Sequence, residues 1–412
     1  MGAYYGDRMK PNFTYSSDAV LKPNPDCPWA QTMVLNPAIL RDPDSTTLHM
    51  LFRASGPWPR KQHAGQPLPY PIFLGYATSQ DNGRTWEADF SRPALTPALQ
   101  DTPDAMYVLS TTGEKAVNYV NGLVEDPRFI PLEGRLYVSV AGRMFPPGPF
   151  WELDQPMQCA PQWAIEGKHT LGRAATENLS VSVLYEVAFD KLRNRDYENA
   201  FKYVTHLTNP EWGDNRDVFL FPERMVIDGR RQYVCIHRPK ETWHYSEGRR
   251  GDKPTIYICS ADNLHDLPTA KSRHRVLARV MFDWEAERVG GSWTPIRISP
   301  DEWLLAYHGK KDDVVGYTQS FMILQQPKDG LPVVKHRCAD RLMYAQSGWQ
   351  LPGAVKYNTR PCIFSCGGIV VGDDLIISYG ASDEKVGLAW VNFNALVTYV
   401  RTFDEKGNRM NG

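Results

Sequence analysis

The stretch from Ser79 to Trp86 reads SQDNGRTW and fits the pattern S-x-D-x-G-x-T-W. The Asp and Gly of this pattern suit a tight turn, its Ser and Thr hydroxyls bond back to the backbone, and its Trp packs against the sheet. The pattern is typical of hairpin turns in some β-propellers, where it usually lies away from the chemistry. It occurs once in this chain and predicts a hairpin within a propeller blade.

Short runs of strand-forming residues recur on both sides of this turn. Each run is rich in β-branched and aromatic residues and is bounded by Gly, Pro, Asp or Asn. Ten such runs are 47–53, 72–78, 135–140, 181–188, 232–237, 255–259, 303–308, 317–324, 374–379 and 386–393. Only residues 190–203 have a helical pattern. This spacing predicts an all-β fold, which is a sandwich, a barrel or a propeller.

No break in composition marks a linker, so we expect a single domain over residues 1–412. Residues 1–29 are expected to form an N-terminal extension. Residues 145–176, which are rich in Pro and Trp, are predicted to form a long loop insertion over a functional face.

The composition excludes several classes of protein. Hydrophobic residues make up 42% and charged residues 23%, which is ordinary globular usage and excludes a disordered chain. Lys plus Arg (46) balances Asp plus Glu (47), so we expect no binding to nucleic acid or to anionic membranes. The absence of a long apolar run and of a secretory signal predicts a cytoplasmic protein. The 12 Trp and 20 Tyr suit a carbohydrate site, although most are expected to fill the core.

The seven cysteines are an odd number in a long chain and imply no disulfide framework. Cys362 and Cys366 are four residues apart, but no second pair and no nearby His completes a zinc spacing, so we expect no metal site. The sequence also lacks the motifs of phosphate-binding loops, dinucleotide folds, zinc proteases and serine nucleophile elbows. No cofactor is expected.

The segment VEDPRF places two acids, Glu125 and Asp126, beside Arg128 in an apolar frame. Pro127 disfavours helix at Asp126. A carboxylate held there could act as a general acid if burial or a neighbour raised its pKa. From these residues alone, the favoured interpretation is a turn in which the Asp caps backbone amides and Arg128 pairs with Glu125.

Other polar residues lie where predicted strands begin or end. Arg143, Arg216, His237 and Arg238 together could cradle a phosphate or a carboxylate, although each alone is better explained by a surface ion pair. Asp383, in the segment YGASD, could bond sugar hydroxyls or could simply occupy a turn.

Taken in order, these segments resemble glycoside hydrolase family 130, the β-mannoside phosphorylases and β-mannosidases. The matching stretches are 36–40, 51–54, 75–81, 125–128, 218–223 with 237–239, 303–309, and 379–383 with 386–389. The resemblance implies a five-bladed β-propeller with its active site in the axial cavity. It also implies an inverting attack on a β-mannoside, with the family's acid at Asp126 acting through a sugar hydroxyl.

The same resemblance implies the roles of further residues. The phosphate ligands are Arg143, Arg216, His237, Arg238 and Tyr245. The mannoside-binding residues are Asn36, Arg53, Glu125, His308 and Asp383. One departure is that the strand 181–188 carries Glu186 and lacks the Arg found there in many phosphorylases of the family, for which Arg173 is a candidate substitute.

Phosphorolysis and hydrolysis make different demands on such a site. An inverting hydrolase needs a second carboxylate about 6.5–9.5 Å from the acid, and Glu186 and Glu223 are the candidate bases. A phosphorylase instead needs cations that hold inorganic phosphate, its co-substrate. We favour a β-mannoside phosphorylase, with a β-mannosidase as the first alternative and a non-catalytic sugar-binding propeller as the second. A homo-oligomer is also an expectation.

Overall fold

The computed structural model describes residues 10–57, 62–63, 66–67, 71–97, 107–109, 115–117, 124–144, 170–177, 179–269, 271–312, 314–346, 348–351 and 361–410. Most of the predicted loop insertion, residues 145–169, lies outside these ranges.

The described residues form mainly short antiparallel strands. In chain order the strands are β1 (Thr14–Tyr15), β2 (Met33–Arg41), β3 (Leu48–Ser55), β4 (Gln62–His63), β5 (Gln66–Pro67), β6 (Phe73–Ser79), β7 (Glu87–Asp89), β8 (Tyr107–Leu109), β9 (Lys115–Val117), β10 (Glu125–Leu132), β11 (Arg135–Arg143), β12 (Ser180–Val187), β13 (Phe201–His206), β14 (Asn215–Leu220), β15 (Met225–Ile227), β16 (Arg230–Pro239), β17 (Ile256–Ala261), β18 (Arg273–Ala278), β19 (Arg288–Gly291), β20 (Ile296–Ser299), β21 (Glu302–Lys310), β22 (Tyr317–Gln325), β23 (Val333–Arg337), β24 (Ile363–Val371), β25 (Asp374–Ala381) and β26 (Lys385–Asn392). The α-helices are α1 (Gly172–Thr176), α2 (Phe189–Arg193) and α3 (Phe393–Val400). Single 3₁₀ turns lie at Tyr197–Asn199, Pro210–Trp212, Thr242–His244, Leu264–Asp266, Asp283–Glu285 and Gly348–Gln350.

These strands make the five blades of a β-propeller. Blade 1 is β2-β3-β6-β7, blade 2 is β10-β11-β12-β13, blade 3 is β14-β16-β17-β18 with β15 on β16, blade 4 is β19-β21-β22-β23 with β20 on β21, and blade 5 is β24-β25-β26-β1. The first strands of the blades meet around the axis: β24 contacts β2, β2 contacts β10, β10 contacts β14, and β14 contacts β19. The expected all-β, five-bladed propeller is thereby confirmed.

The outer strand of blade 5 comes from the other end of the chain. Thr14 pairs with Trp390 and Tyr15 with Ala389, so β1 completes the sheet that β24, β25 and β26 begin. Leu21 continues the contact through a bridge to Val386. The expectation that residues 1–29 are an appended extension is therefore wrong for this part of the segment, which closes the ring.

The core lies between the faces of neighbouring blades. One large cluster joins blades 2, 3 and 4, and at its centre the ring of Phe221 meets the fully buried ring of Trp303 edge to face, with centroids 5.4 Å apart. Replacing such a buried ring by Ala typically costs about 3–5 kcal/mol. Packing of this kind holds the first strands in register around the axis.

The predicted hairpin turn is confirmed between β6 and β7. The Ser79 hydroxyl donates to Asp81 Oδ1 (2.8 Å) and accepts from the Gly83 amide (2.9 Å), while the Thr85 hydroxyl donates to Asp81 Oδ2 (2.6 Å). Gly83 has φ of +85°, which favours glycine. The Trp86 indole donates to the Gly83 carbonyl (3.0 Å).

All ten predicted strand runs lie on strands of the structure. The predicted helix over residues 190–203 is wrong for most of its length. Residues Phe189–Arg193 form α2, but Tyr197–Asn199 is a 3₁₀ turn and Phe201–His206 is the outer strand of blade 2. Sheet pairing with β12 outweighs the local helical pattern there.

Candidate active site

Three polar residues occupy equivalent positions in the first strands of blades 1, 2 and 3. Asn36, Asp126 and Asp217 have φ of 45°, 53° and 56°, in the left-handed region. Each lies within a register shift of its strand pair, between Leu35 and Ala38, Glu125 and Arg128, and Arg216 and Phe219, respectively. A bulge re-aims a side chain and interrupts the ladder. The repeated bulge thus brings all three side chains to the axial cavity.

The axial cavity has a volume of about 300 Å³. Its lining is polar and charged on one side and aromatic on the other. The lining residues are Met33, Asn36, Arg53, Glu125, Asp126, Arg216, Asp217, Arg238, Tyr317, Phe364 and Asp383. The structure therefore brings together most of the predicted site residues, although they come from four blades.

Asp126 is held by donors from blade 1. Its Oδ1 accepts hydrogen bonds from Asn36 Nδ2 (2.8 Å) and from Arg53 Nη1 (3.0 Å). The residue is 7% exposed and still lines the cavity. The carboxyl group thus has a fixed position at the cavity.

Glu125 joins two of the arginines. Its Oε1 accepts from Arg53 Nη1 (2.9 Å) and from Arg216 Nη1 (3.1 Å). Burial alone would raise the pKa of Glu125, but the positive charges of Arg53 and Arg216 outweigh burial and leave that pKa lowered. Glu125 is therefore a carboxylate that positions arginines.

Arg128 does not pair with Glu125, so the local-turn interpretation of VEDPRF is wrong. Its Nη2 donates to Asp217 Oδ1 (3.1 Å), its Nη1 donates to the Asp126 carbonyl (3.0 Å), and its Nε donates to the Ser292 carbonyl (2.7 Å). The side chain is fully buried. Arg128 therefore ties blades 2, 3 and 4 together beneath the cavity.

Asp217 also lines the cavity, and the sequence predicted no role for it. Its Oδ2 accepts from Arg238 Nε (2.5 Å) and lies 3.2 Å from His308 Nε2, while its Oδ1 accepts from Arg128. Burial opposes its charge, but Arg238, His308 and Arg128 outweigh burial and lower the pKa of Asp217 well below its usual value. The signal that would have found it is the shared pattern of an Asn or Asp at the start of an apolar strand, as in LNPAI, EDPRF and RDVFL.

Two arginines of blade 3 stand side by side at the cavity. Arg216 on β14 is the register partner of Arg238 on β16. Like charges directly opposite on neighbouring strands are unfavourable, so this pair needs anions around it. Glu125 and Asp214 approach Arg216 at 3.1 and 3.4 Å, and Asp217 approaches Arg238.

Arg143 is the last residue of β11 and stands opposite Ser180. Its charge contributes to the lowered pKa values of Glu125 and Asp214. For Asp214, burial opposes the charge, but Arg216 and hydrogen bonds from Ser180 bring the pKa from its usual 3.8 to about 2. Arg143 therefore adds positive charge to the same side as Arg216.

His237 and Tyr245 lie one layer behind this arginine pair. The Nδ2 of Asn215 is 3.0 Å from His237 Nδ1 and donates to the Tyr245 hydroxyl (2.9 Å). Both residues are buried, and neither is among the residues that line the cavity. The structure therefore places them as supports of the strand that carries Arg216.

Asp383 lines the cavity at its aromatic side, whereas His308 is fully buried and is not among the lining residues. The fully buried His308 ring contacts Phe364, with centroids 4.7 Å apart, and Tyr317, with centroids 5.4 Å apart. Burial lowers the pKa of His308, against the opposing effect of Asp217.

Asp383 has φ of 55°, lines the cavity and accepts a weak hydrogen bond from Cys362 Sγ (3.7 Å). The sequence did not identify three of the lining residues, because apolar and aromatic residues of this kind usually belong to the hydrophobic core. They are Met33, Tyr317 and Phe364.

The two candidate bases of a hydrolase are not at this cavity. Glu186 faces Tyr137 on β11, whereas Ser180 at the other end of β12 faces Arg143. At about 3.3 Å per residue this separates Glu186 from the cavity end of the strand by about 20 Å. Glu223 lines a second cavity of about 420 Å³, where it pairs with Arg297. Both positions correct the expectation that either residue could activate water beside Asp126.

Arg173 is likewise not among the residues that line the cavity, and it pairs with two acidic residues. Its guanidinium pairs with Glu241 and, through Nε, with Glu177 (3.1 Å). Glu241 lies behind blade 3, where its side chain packs against Gly213. The structure therefore does not place Arg173 in the role of a missing phosphate ligand.

Comparisons with known proteins agree with this architecture. The chain is 26% identical over 374 residues to a 1,2-beta-oligomannan phosphorylase of Thermoanaerobacter sp. (strain X514), covering 91% of this chain and 95% of that one. It is 29% identical over 208 residues to a beta-1,4-mannooligosaccharide phosphorylase of Ruminococcus albus, covering 50% of this chain and 56% of that one.

A solved structure of the beta-1,2-mannobiose phosphorylase from Listeria innocua superposes with a TM-score of 0.62 at 17% identity, over 95% of this chain and 99% of that one. Residues 174–402 match the sequence profile of family 130, described as beta-1,4-mannooligosaccharide phosphorylase. Since this segment is more than half of the 412 residues, the chain belongs to glycoside hydrolase family 130.

Proposed function

We propose that the protein is an inverting glycoside phosphorylase that cleaves β-mannosides with inorganic phosphate and releases α-mannose 1-phosphate. The observation that carries the proposal is the arrangement of one cavity in which Asp126 faces the register pair Arg216 and Arg238. Such a cavity provides an acid that can protonate the leaving group and two guanidinium groups that can bind an anion. The matched relatives are named as phosphorylases of β-mannosides, which supports this choice.

Asp126 is proposed as the acid. Asn36 and Arg53 fix one of its oxygens, so the carboxyl group keeps its direction when substrate binds. Protonation of the leaving oxygen by a positioned acid contributes about 10²–10⁴-fold in rate. The proton reaches that oxygen through a hydroxyl of the bound sugar, as the family resemblance implies.

Arg216, Arg238 and Arg143 are proposed as the phosphate cradle. Guanidinium groups bind phosphate oxygens through paired, charge-assisted hydrogen bonds. His237 and Tyr245 act on phosphate indirectly, because both hold Asn215, the residue before Arg216. The mannose unit is proposed to be bound by the other predicted residues, which are Arg53, Glu125, His308 and Asp383.

Two of the four carboxylates that line the cavity favour phosphorolysis over hydrolysis. Glu125 is paired with two arginines, and Asp217 is paired with two arginines and approached by His308. A carboxylate that is paired with two arginines is a poor base, because its ion pairs stabilise the charged form. In the described ion pairs Asp126 has a single arginine, Arg53, which it shares with Glu125. A phosphate anion needs no base, since it is already a nucleophile.

The bond changes balance without another reactant. A phosphate oxygen attacks C1 from the face opposite the glycosidic oxygen, the C1–O bond breaks, and its electron pair goes to the leaving sugar. Asp126 gives its proton to the relaying sugar hydroxyl, the proton of that hydroxyl passes to the leaving oxygen, and Asp126 later regains a proton from solvent. Inversion at C1 turns a β-mannoside into an α-phosphate.

The test is an incubation of the purified protein with β-1,2-, β-1,3- and β-1,4-linked mannobioses, each with and without inorganic phosphate. We expect mannose 1-phosphate that forms only when phosphate is present, and at least about 100-fold more slowly with Asp126→Asn. Equal release of free mannose without phosphate would establish the mannosidase instead. Mannoside binding without turnover, unchanged in Asp126→Asn, would establish a sugar-binding propeller.

We further propose that the enzyme works in the cytoplasm with phosphate as its co-substrate. The six cysteines within the described ranges are all free thiols, which suits a reducing compartment. None of the helices in those ranges has the length and apolarity that a membrane crossing requires. Fractionation of the producing cells, with the activity assay above applied to each fraction, tests the location.

A further inference from the structure

Three potential metal ligands meet on one face of blade 3. His237 lies on β16, Cys259 on β17 and His274 on β18. Cys259 stands directly opposite His274 in the ladder, and the ligand atoms of all three residues lie within 4.8 Å of one another. His237 Nε2 is 3.0 Å from His274 Nδ1. His237 and Cys259 are buried, and His274 is half-buried.

Two polar atoms beside this cluster lack a hydrogen-bond partner within the described residues: Asn215 Oδ1 and His274 Nε2. Asn215 is 1% exposed, and its Nδ2 faces His237 Nδ1. The two ends of an amide are exchanged by a simple rotation. A metal on His237 Nε2 would leave the proton on Nδ1, and a rotated Asn215 would accept that proton through Oδ1. Metal-bound histidines usually donate their second ring N–H to an oxygen in this way.

The Cys259 sulfur is the third donor atom of this cluster. Cys235 stands opposite Cys259 on β16. The thiolate is the form that binds metals.

We propose that His237, Cys259 and His274 form a binding site for Zn²⁺ that joins three strands of blade 3. Two imidazole nitrogens and a thiolate are donors that Zn²⁺ prefers. Tetrahedral ligands at the usual bond lengths are about 3.3–3.6 Å apart. The two imidazole nitrogens, which are 3.0 Å apart, therefore need to separate slightly, and a pair at the 4.8 Å limit would need to close in by about 1 Å. The site stands behind Asn215 and Arg216, and it does not depend on the reaction proposed for the cavity.

The experiment uses the full chain, stripped of metal with a chelator and titrated with Co²⁺ as a spectroscopic substitute. We expect one equivalent of Co²⁺ to produce a thiolate-to-cobalt charge-transfer band, and Zn²⁺ to abolish it by displacement. The band should disappear in Cys259→Ser, and His274→Gln should weaken Co²⁺ binding at least tenfold. Cys27→Ser, which removes a buried thiol outside blade 3, is the matched control and should keep the band.

The circular dichroism of each variant reports whether it folds. His274→Gln changes a half-buried side chain on an outer strand, so it keeps the test decisive if Cys259→Ser fails to fold. No band in the wild-type protein, or an unchanged band and affinity in His274→Gln, would overturn the proposal.

Discussion

Replacing Asp217 by Asn should destabilise the protein strongly, because this carboxylate is the only anion that touches both Arg128 and Arg238 in the described ion pairs. The residue is 2% exposed. The amide keeps the shape but leaves two buried guanidinium groups without a compensating charge. Removing one partner of a buried ion pair costs about 3–5 kcal/mol. At an m-value of about 3 kcal/mol per M, the urea midpoint should fall by about 1–1.7 M.

The assay is equilibrium unfolding in urea with phosphorolysis measured in parallel, and kcat/KM should fall because Arg238 and His308 lose their anchor. Glu302→Gln is the matched control. Glu302 is also a buried carboxylate between two cations, but Lys335 and Arg401 are 42% and 36% exposed. Ion pairs with exposed partners are worth about 0–1 kcal/mol. A free energy of unfolding for Asp217→Asn as close to wild type as that of Glu302→Gln would refute the reasoning.

Further predictions concern the acid, the phosphate and the pH dependence of stability. Asp126→Asn should lower kcat by about 10²–10⁴-fold. It should leave the urea midpoint within error, because Arg53 keeps its ion pair with Glu125 and the amide oxygen can still accept from Asn36 and Arg53; a kcat near that of wild type would remove Asp126 from the acid role. Arg216→Ala should raise the KM for phosphate, whereas Arg297→Ala, at the second cavity, should not; equal effects of the two changes would contradict the cradle. Burial lowers the pKa of His206 from 6.5 to about 4. The contribution of His206 to the free energy of unfolding is therefore fully present above pH 6.5 and is lost as the pH falls through 4. The total loss is about 3 kcal/mol. His206→Gln should flatten the free energy of unfolding over that window, and an unchanged slope would show that His206 is not the titrating group.

The strands and the Ser79–Trp86 turn were predictable because their signals are local. A tight turn with Asp, Gly, Ser and Thr at fixed offsets satisfies its own hydrogen bonds, as the contacts around Asp81 show. The outer strand Phe201–His206 was not predictable from its own residues. Its pairing with β12 is a tertiary contact that local propensity does not encode.

The site residues were predictable as members of motifs, but their partners were not. The sequence places Arg128 three residues after Glu125, whereas its anion is Asp217, 89 residues along the chain. Arguments from spacing relate only residues that are close in the sequence, whereas the propeller brings together residues from different blades. The same limit hid the cluster of His237, Cys259 and His274, since strands from two hairpins supply its members.

The strand that completes blade 5 has a consequence for how the chain folds as it is synthesised. The Leu388 amide donates to the Ser16 hydroxyl across 372 residues. At about 5–20 residues per second, the ribosome needs roughly 20–75 s to make that span. Closing a loop of this length costs about 5 kcal/mol of chain entropy, so the contact forms only after the other blades have been assembled. Until then the nascent chain carries an unpaired edge strand, and this interval is when pairing with a second chain competes with closure of the ring.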